Sequence, residues 1–176
     1  MNFRLISILA LGVAAAAAHA ISFTADFDSL SDGTAVGSAY AADGITFSGA
    51  TVKNVGVGAY SGTNVAKSST GLITATFSKT ADTVSFRYIK TVNAALTVTV
   101  YDLNDEVVST STLGKNSKGT WKYNSIQTGD IYSKITIAGT ANAFSVDDFT
   151  VAPVPEPASM AALGVGLLAL RRRKKA

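Results

Sequence analysis

Apolar and polar side chains alternate, residue by residue, through most of residues 21–153. In one such stretch Leu96, Val98 and Val100 alternate with two threonines and a tyrosine. A period of two places successive side chains on opposite faces of a β-strand, whereas an amphipathic helix needs apolar residues three or four positions apart. No stretch of this region carries a persuasive helical pattern, so we predict that it consists of β-strands.

Turn-forming residues divide this region into about nine short strands. The predicted strands are 23–28, 45–48, 71–77, 84–89, 96–101, 107–113, 120–126, 131–137 and 144–151. Asp43-Gly44 marks an early turn, and Leu103-Asn104-Asp105 predicts a tight hairpin. Short strands rich in β-branched residues, with turns at regular spacing, are typical of antiparallel sandwiches. We therefore predict an all-β fold, an antiparallel two-sheet β-sandwich of the jelly-roll-like kind.

The first 20 residues have the three parts of a secretory signal peptide. Arg4 supplies a positive charge, residues 5–18 are almost all apolar, and Ala18-His19-Ala20 has small residues at both cleavage-pocket positions. We predict an N-terminal signal helix, cleaved by signal peptidase after Ala20, and hence an exported protein. The alternative is a buried helix or a retained anchor, although the apolar stretch is short for a spanning helix of about 20 residues.

The net charge of the whole chain gives a misleading picture of the exported region. The chain has 15 Lys and Arg and 12 Asp and Glu, a net charge of +3. Six of the basic residues (Arg4 and 171–175) and one acidic residue (Glu156) lie in the terminal segments. Residues 21–153 therefore keep nine basic and eleven acidic residues, a net charge of −2. This balance argues against a nucleic acid as partner.

Cysteine and histidine are missing from the predicted exported region. The chain has no cysteine, and its one histidine, His19, lies in the predicted signal peptide. Disulfides, thiolate catalysis, Cys- or His-ligated metal sites and a Ser-His-Asp triad are therefore excluded from this region.

The last 23 residues combine three features in a fixed order. Val154, Pro155, Glu156 and Pro157 precede an apolar segment, 158–170. Five consecutive basic residues follow, namely Arg171, Arg172, Arg173, Lys174 and Lys175. The apolar segment would form a helix of about 20 Å, which spans the roughly 30 Å hydrocarbon core only if the bilayer thins or flanking arginines snorkel. We predict a short transmembrane helix with a cytoplasmic basic anchor, and thus an inner-membrane-anchored precursor.

This arrangement resembles the PEP-CTERM sorting signal of bacteria that make exosortase, a membrane-embedded, cysteine-protease-like transpeptidase. The resemblance rests on Val154-Pro155-Glu156-Pro157-Ala158, the glycine-containing apolar segment and the terminal Arg/Lys cluster. It implies that exosortase cleaves near Pro155-Glu156-Pro157 and that the body is then released or attached at the cell surface. The alternative is a plain type I membrane anchor.

The body also resembles carbohydrate-binding jelly rolls of the galactose-binding-like type, through residues 25–30, 43–47 and 145–149. The resemblance implies that carboxylates near the first strand and the Asp-Asp pair near the last hold a structural calcium ion. The candidate ligands are Asp28, Asp32, Asp147 and Asp148, with Asp26 as a further possibility. Adjacent strand residues point to opposite faces, so at most one of Asp147 and Asp148 would reach the metal unless a bulge intervenes. The alternative is that all are solvated strand-end carboxylates and turn caps.

Aromatic residues offer a candidate sugar platform. Trp121 and Tyr123 alternate on one predicted strand face, where flat rings could stack on the C–H faces of a sugar. The alternative is that Trp121 packs in or beside the core.

Three functional hypotheses follow. The leading one is a noncatalytic exported surface or extracellular-matrix protein, processed by exosortase and associated with exopolysaccharide. The second is a calcium-stabilised carbohydrate-binding module. The third is a glycoside hydrolase with paired carboxylates. It is disfavoured because Asp147 and Asp148 are adjacent and project oppositely, so we name no catalytic residue.

Overall fold

The alternating sequence folds into short strands that pair antiparallel, as predicted. The computed structural model describes residues 22–114 and 118–154. The strands are β1 (Phe23–Ala25), β2 (Ile45–Ser48), β3 (Ala50–Asn54), β4 (Asn64–Ser68), β5 (Leu72–Lys90), β6 (Leu96–Tyr101), β7 (Val107–Leu113), β8 (Lys122–Ile126), β9 (Tyr132–Ala138) and β10 (Phe144–Pro153). Two short 3-10 helices, Ala41–Asp43 and Gly56–Gly58, complete the described elements.

The strands form two layers that share β5. Sheet I has the order β2-β5-β9-β6-β7 and uses the first part of β5. Sheet II has the order β8-β5-β10-β4-β3 and uses the second part of β5, with β1 in line with β4 along β10. The predicted two-sheet antiparallel sandwich is therefore confirmed.

The alternation of buried and exposed side chains changes phase within β5, where this strand passes from one sheet to the other. Its buried positions are first Ile73, Ala75 and Phe77, which are odd-numbered, and later the even-numbered set from Val84 to Lys90. The pairing with β9 shifts register between Thr76 and Ala81. A bulge of this kind bends a strand and increases its local twist. The sequence predicted two separate strands, 71–77 and 84–89, and the structure joins them because no turn interrupts the bend.

The inner faces of both sheets share one hydrophobic core. Phe149 of sheet II lies 5.3 Å from Phe47 of sheet I and 5.9 Å from Phe86, measured between ring centroids. Phe27, which lies within the predicted first strand 23–28, follows the end of β1 with a φ of 65°. Its N–H donates to the Tyr40 hydroxyl at 2.8 Å, and its ring packs in the core. Such edge-to-face and stacked rings stabilise a core beyond their buried area.

Other predictions are corrected in detail or fall outside the described residues. The sequence missed β3 and β4, which are short and interrupted by lysine and asparagine. The hairpin at 103–105 is confirmed, with Asp105 at a φ of 63° between β6 and β7. The predicted signal helix and C-terminal helix lie outside the described residues. Within 22–114 and 118–154, no helix is long and apolar enough to cross a membrane.

Candidate functional site

A bulge in β10 changes the relation between Asp147 and Asp148. Asp147 pairs with Arg87 and Thr150 pairs with Ser85, so β10 has one residue more than β5 over this interval. Asp148 takes a φ of 46°, in the left-handed region. The bulge therefore lifts the restriction that adjacent strand residues face opposite ways. Both carboxylates contact the same loop, residues 59–63, which we call the Tyr60 loop.

Asp147 anchors the Tyr60 loop from beneath. Its side chain is 0% exposed. One carboxylate oxygen accepts the N–H groups of Tyr60 and Ser61, each at 3.1 Å, and the other accepts the N–H of Asp148 at 2.9 Å. Burial raises the pKa of Asp147 from 3.8 to about 6, and the Asp148 carboxylate acts in the same direction against the lowering effect of these N–H groups. Asp148 itself accepts the Ser61 hydroxyl at 2.6 Å.

Asp28 anchors the other end of the same loop. One of its carboxylate oxygens accepts the N–H groups of Thr63 at 2.7 Å and of Asn64 at 2.9 Å. Gly62 lies against this carboxylate with a φ of 54°, and a Cβ at this position would collide with it. The loop can therefore close over Asp28 only because residue 62 is glycine.

Three of the four predicted calcium ligands thus meet at one loop, and the fourth does not join them. Asp32 accepts the N–H of Asn54 at 2.7 Å, which lowers the pKa of Asp32, and forms an exposed ion pair with Lys53. The oxygens near the Tyr60 loop have the chemistry that calcium prefers. However, both carboxylate oxygens of Asp147 already accept backbone N–H groups. Among the described residues, no group of three acidic residues is placed to hold a metal ion. Calcium binding stays a prediction.

Tyr60 and Tyr123 lie on either side of Arg87 on the outer face of sheet II. The guanidinium carbon is 4.2 Å from the Tyr60 ring centroid and 4.7 Å from that of Tyr123. Arg87 and Tyr123 are paired residues of β5 and β8. The tyrosines are 46% and 56% exposed, so each ring presents surface to solvent while contacting the cation. Neither of the two ion pairs found among the described residues involves Arg87.

Trp121 completes this group, which we call the aromatic patch (Tyr60, Arg87, Trp121 and Tyr123). Trp121 is partly buried and does not belong to the core cluster. Its indole N–H donates to the carbonyl of Gly58 at 3.0 Å, and its ring lies edge-to-face with Tyr60 at 6.2 Å. The indole thereby contacts both Tyr60 and Gly58, which lies just before the Tyr60 loop. The described geometry offers flat, partly exposed rings around a cation.

Sequence reasoning found Trp121 and Tyr123 but missed Tyr60 and Arg87. Arg87 could have been found, because it occupies an outward position in the alternating pattern of β5. Tyr60 gave no such signal, since it lies in an irregular loop between a 3-10 helix and β4. Its position is decided by Asp147, which is distant in sequence.

A depression elsewhere on the sandwich is a weaker candidate site. It has a volume of about 420 Å³ and is lined by Asp102, Leu103, Asn104, Val108, Asp130 and Ile131. The Asp102 carboxylate accepts the N–H groups of Asn104 and Glu106 at 2.8 and 2.9 Å. The Asp102 carboxylate therefore stabilises the hairpin turn, as is common for aspartate in turns.

The predicted sorting residues lie mainly outside the described part of the chain. Val154 follows β10 directly, and its N–H donates to the carbonyl of Thr80 at 3.1 Å. Pro155, Glu156, Pro157 and the basic residues 171–175 are outside the described residues.

Comparison with protein families identifies this C-terminal segment. Residues 153–175 match the model of the PEP-CTERM protein-sorting motif. The match covers 23 of the 176 residues and therefore concerns the sorting segment alone. The motif implies an exported, membrane-anchored precursor that is processed by exosortase. No curated protein is significantly similar to the chain in sequence.

Three solved structures with a loose likeness in fold are carbohydrate-binding modules. A point mutant of CBM29-2, a family 29 module, is 10% identical, with a TM-score of 0.46, covering 75% of this chain and 91% of that one. TmCBM61 in complex with β-1,4-galactotriose is 15% identical, with a TM-score of 0.44 and coverages of 62% and 88%. A family 35 module from Clostridium thermocellum is 18% identical, with a TM-score of 0.42 and coverages of 62% and 92%.

Proposed function

We propose that this chain is a noncatalytic exported protein of the cell surface or extracellular matrix, sorted by exosortase, whose sandwich associates with exopolysaccharide through the aromatic patch. Signal peptidase would remove the N-terminal segment, and exosortase would act on the C-terminal motif. The observation that carries the sugar-binding part of the proposal is the pair of half-exposed tyrosine rings around Arg87.

The chemistry of the aromatic patch suits a polysaccharide better than a small enclosed ligand. Tyrosine rings stack on the apolar C–H faces of sugars, and neighbouring N–H and hydroxyl groups bond the sugar hydroxyls. Hydrogen bonding to Ser85 and Ser125 lowers the pKa of Tyr123, with Arg87 acting in the same direction. The patch lies on the outer face of a sheet, where a long chain can pass across it without threading into a pocket.

The engagement of the carboxylates supports a noncatalytic role. Asp147 is fully buried and both its oxygens accept backbone N–H groups, while Asp148 accepts the Ser61 hydroxyl. A glycoside hydrolase needs two carboxyl groups that face the same scissile bond. Asp147 could reach a substrate only if the Tyr60 loop opened, which would also displace Tyr60 from Arg87.

The position of the sorting motif supports processing of a folded domain. The match begins at Pro153, the last residue of β10, so the motif follows the sandwich directly. Cleavage near Pro155-Glu156-Pro157 would leave all ten strands intact.

Affinity electrophoresis in gels containing the host exopolysaccharide tests sugar binding. We expect the processed protein to be retarded, and Tyr60→Ala and Tyr123→Ala each to weaken binding roughly two- to tenfold through loss of stacking. Tyr101→Ala is the matched control, because Tyr101 also contacts a cation, Lys134 at 4.4 Å, but lies in sheet I. This part of the proposal would be rejected if the parent protein were not retarded, or if all variants were retarded as strongly as the parent.

Mass spectrometry of cell-surface and medium fractions tests the sorting. In a host with exosortase we expect a C-terminus near residues 155–157, and in a strain lacking exosortase an intact tail. Replacing Pro155-Glu156-Pro157 by alanines should reproduce the intact tail, whereas replacing Lys79, on the surface of β5, should not. Identical C-termini with and without the enzyme would contradict the assignment.

A further inference from the structure

The strands at the margins of the two sheets differ in how their outer edges are protected. A margin strand presents backbone N–H and C=O groups that can pair with another chain, and proteins usually cover or charge such edges. In sheet I the margin strands are β2 and β7, and in sheet II they are β8 and β3.

Two of these edges are covered by the chain itself. Along β3, the N–H groups of Gly33 and Val36 donate to the carbonyls of Val52 and Ala50, and Val52 donates back to Thr34. Along β2, the N–H of Phe47 donates to the carbonyl of Gly37. A third margin, β8, is five residues long and contains Lys122, a charge of the kind that discourages edge pairing.

The remaining margin, β7, has none of these protections in the described part of the chain. Its sequence, Val-Val-Ser-Thr-Ser-Thr-Leu, contains no charged residue and no proline. It pairs with β6 on one side, and no turn or loop among the described residues hydrogen-bonds its backbone on the other. Its middle residue, Thr110, and the two residues that follow are exposed.

The sequence of β7 is also complementary to itself. If two copies of β7 pair antiparallel about Thr110, each threonine faces its counterpart, Ser109 faces Ser111, and Val107 faces Leu113. No like charges oppose each other, and a cross-strand Thr–Thr pair is favourable. Antiparallel pairing of identical strands has the twofold symmetry of the commonest homodimers.

The rest of sheet I fits this arrangement. Thr110 pairs in register with Thr99 of β6, which pairs with Thr136 of β9, and Thr136 pairs with Thr74 of β5. The Thr110 hydroxyl donates to that of Thr99 at 3.3 Å. Pairing at β7 would continue this row of threonines from one copy into the next.

We propose that two copies of this chain associate edge to edge along β7, so that sheet I of one copy continues into sheet I of the other. The partner is a second copy of this chain, and the contact is a backbone ladder centred on Thr110. The proposal is independent of the aromatic patch, which lies on sheet II.

Cross-linking tests the register of this contact, and the chain is well suited to it because it has no cysteine. In antiparallel pairs the facing Cα atoms are about 4.5–5.5 Å apart, within the range that a disulfide bridges. With the full chain expressed and exported, we expect Thr110→Cys to yield a disulfide-linked dimer under a mild thiol oxidant. Thr97→Cys, which is exposed on the same face but lies in β6, should stay largely monomeric.

Charge exchange tests the contact without a covalent bond. Measured by light scattering after chromatography, the parent protein should have about twice the monomer mass. Thr110→Lys and Thr110→Glu should each be monomeric, since like charges would meet at the twofold axis, and their equimolar mixture should regain the dimer mass. Circular dichroism spectra matching the parent would establish that the single variants are folded.

Several outcomes would overturn the proposal. A monomeric parent at all concentrations, dimers that persist in both Thr110 charge variants, or equal cross-linking at positions 97 and 110 would each do so. Cross-linking of position 110 to a different protein, with no self-linked product, would assign the edge to another partner and would also overturn it.

Discussion

The outer faces of the two sheets are built in different ways. Sheet I carries a row of threonines, one on each of four neighbouring strands: Thr110, Thr99, Thr136 and Thr74. Sheet II is covered in part by the Tyr60 loop, which acidic residues remote in sequence hold in place. The regular face follows from strand pairing alone, whereas the covered face depends on buried polar contacts. Ligand recognition is therefore expected on sheet II and self-association at the margin of sheet I.

The substitution with the largest expected effect removes the buried Asp147 carboxylate, which holds the Tyr60 loop. Asp147→Ala leaves the N–H groups of Tyr60, Ser61 and Asp148 without their acceptor, and we expect a loss of roughly 2–4 kcal/mol in the free energy of unfolding. Exopolysaccharide binding should fall as well, because Tyr60 is no longer held beside Arg87. Denaturant unfolding provides the measurement. The control is Asp105→Asn, which removes the ion pair between the exposed Asp105 carboxylate and Lys134, keeps a residue suited to the positive φ, and should cost about 0–1 kcal/mol.

A smaller effect is expected from the glycine that lets the loop close. Gly62→Ala should destabilise the protein by roughly 1–3 kcal/mol, because the new Cβ meets the Asp28 carboxylate and the backbone is left-handed. Gly129→Ala is the matched control, since Gly129 has a φ of 86° with nothing within 4 Å of an added Cβ. Its cost should be about 1 kcal/mol, from the backbone alone. Equal losses in both variants would mean that Asp28 does not constrain the loop.

The stability of sheet II should also depend on pH. The folded pKa of Asp147, about 6, is above the ordinary value of 3.8, so between these values the folded state binds more protons than the unfolded state. The stabilisation of the folded state by Asp147 is fully present below about pH 4 and is lost as the pH rises through 6. The pKa values of Asp32 and Asp102 are lowered, so their contributions are lost only as the pH falls below about 4.

Thermal unfolding at a series of pH values measures this contribution. We expect the parent protein to have a higher Tm at about pH 5 than at about pH 7, and the difference to shrink in Asp147→Asn. Asp130→Asn, an exposed turn residue near sheet I, serves as the control and should keep the parent's pH dependence. A parent Tm that rises over the same pH interval by the same amount in all three proteins would contradict the assignment to Asp147.

The smallest expected effect is that of calcium. Both carboxylate oxygens of Asp147 already accept backbone N–H groups, so a cation at Asp147 would compete with those contacts. We expect millimolar calcium to change the Tm by less than about 1 °C. A rise of several degrees that EDTA reverses, and that Asp28→Asn removes, would establish the calcium site that the sequence predicted. Asp43→Asn, in the 3-10 helix, provides a control for the loss of a negative charge.

Much of the fold could be predicted because strand patterns are local. The period-two alternation located most strands, including 96–101 and 107–113 with their observed bounds. It failed at β3 and β4, where Lys53, Asn54 and Asn64 interrupt the pattern. The alternation also predicted two strands in place of β5, because the change of phase between Phe77 and Val84 looks in the sequence like a turn between two strands.

The candidate site was harder to predict because its contacts join distant parts of the chain. Trp121 and Tyr123 could be chosen from one strand, but Tyr60 meets them only through the loop that Asp147 holds. Both Asp147 and Asp148 reach the Tyr60 loop because of the bulge in β10, and the local sequence pattern does not show whether or where a strand carries a bulge.

The sequence by itself determined the β-class of the exported region, the PEP-CTERM segment at its end and the uncharged character of β7, because each depends on the order of neighbouring side chains. Only the tertiary structure decided that β5 serves both sheets, that three aspartates hold one loop, and that two tyrosines enclose Arg87. These features depend on burial and hydrogen bonding between residues far apart in the chain, and neither spacing nor composition encodes which partners will meet.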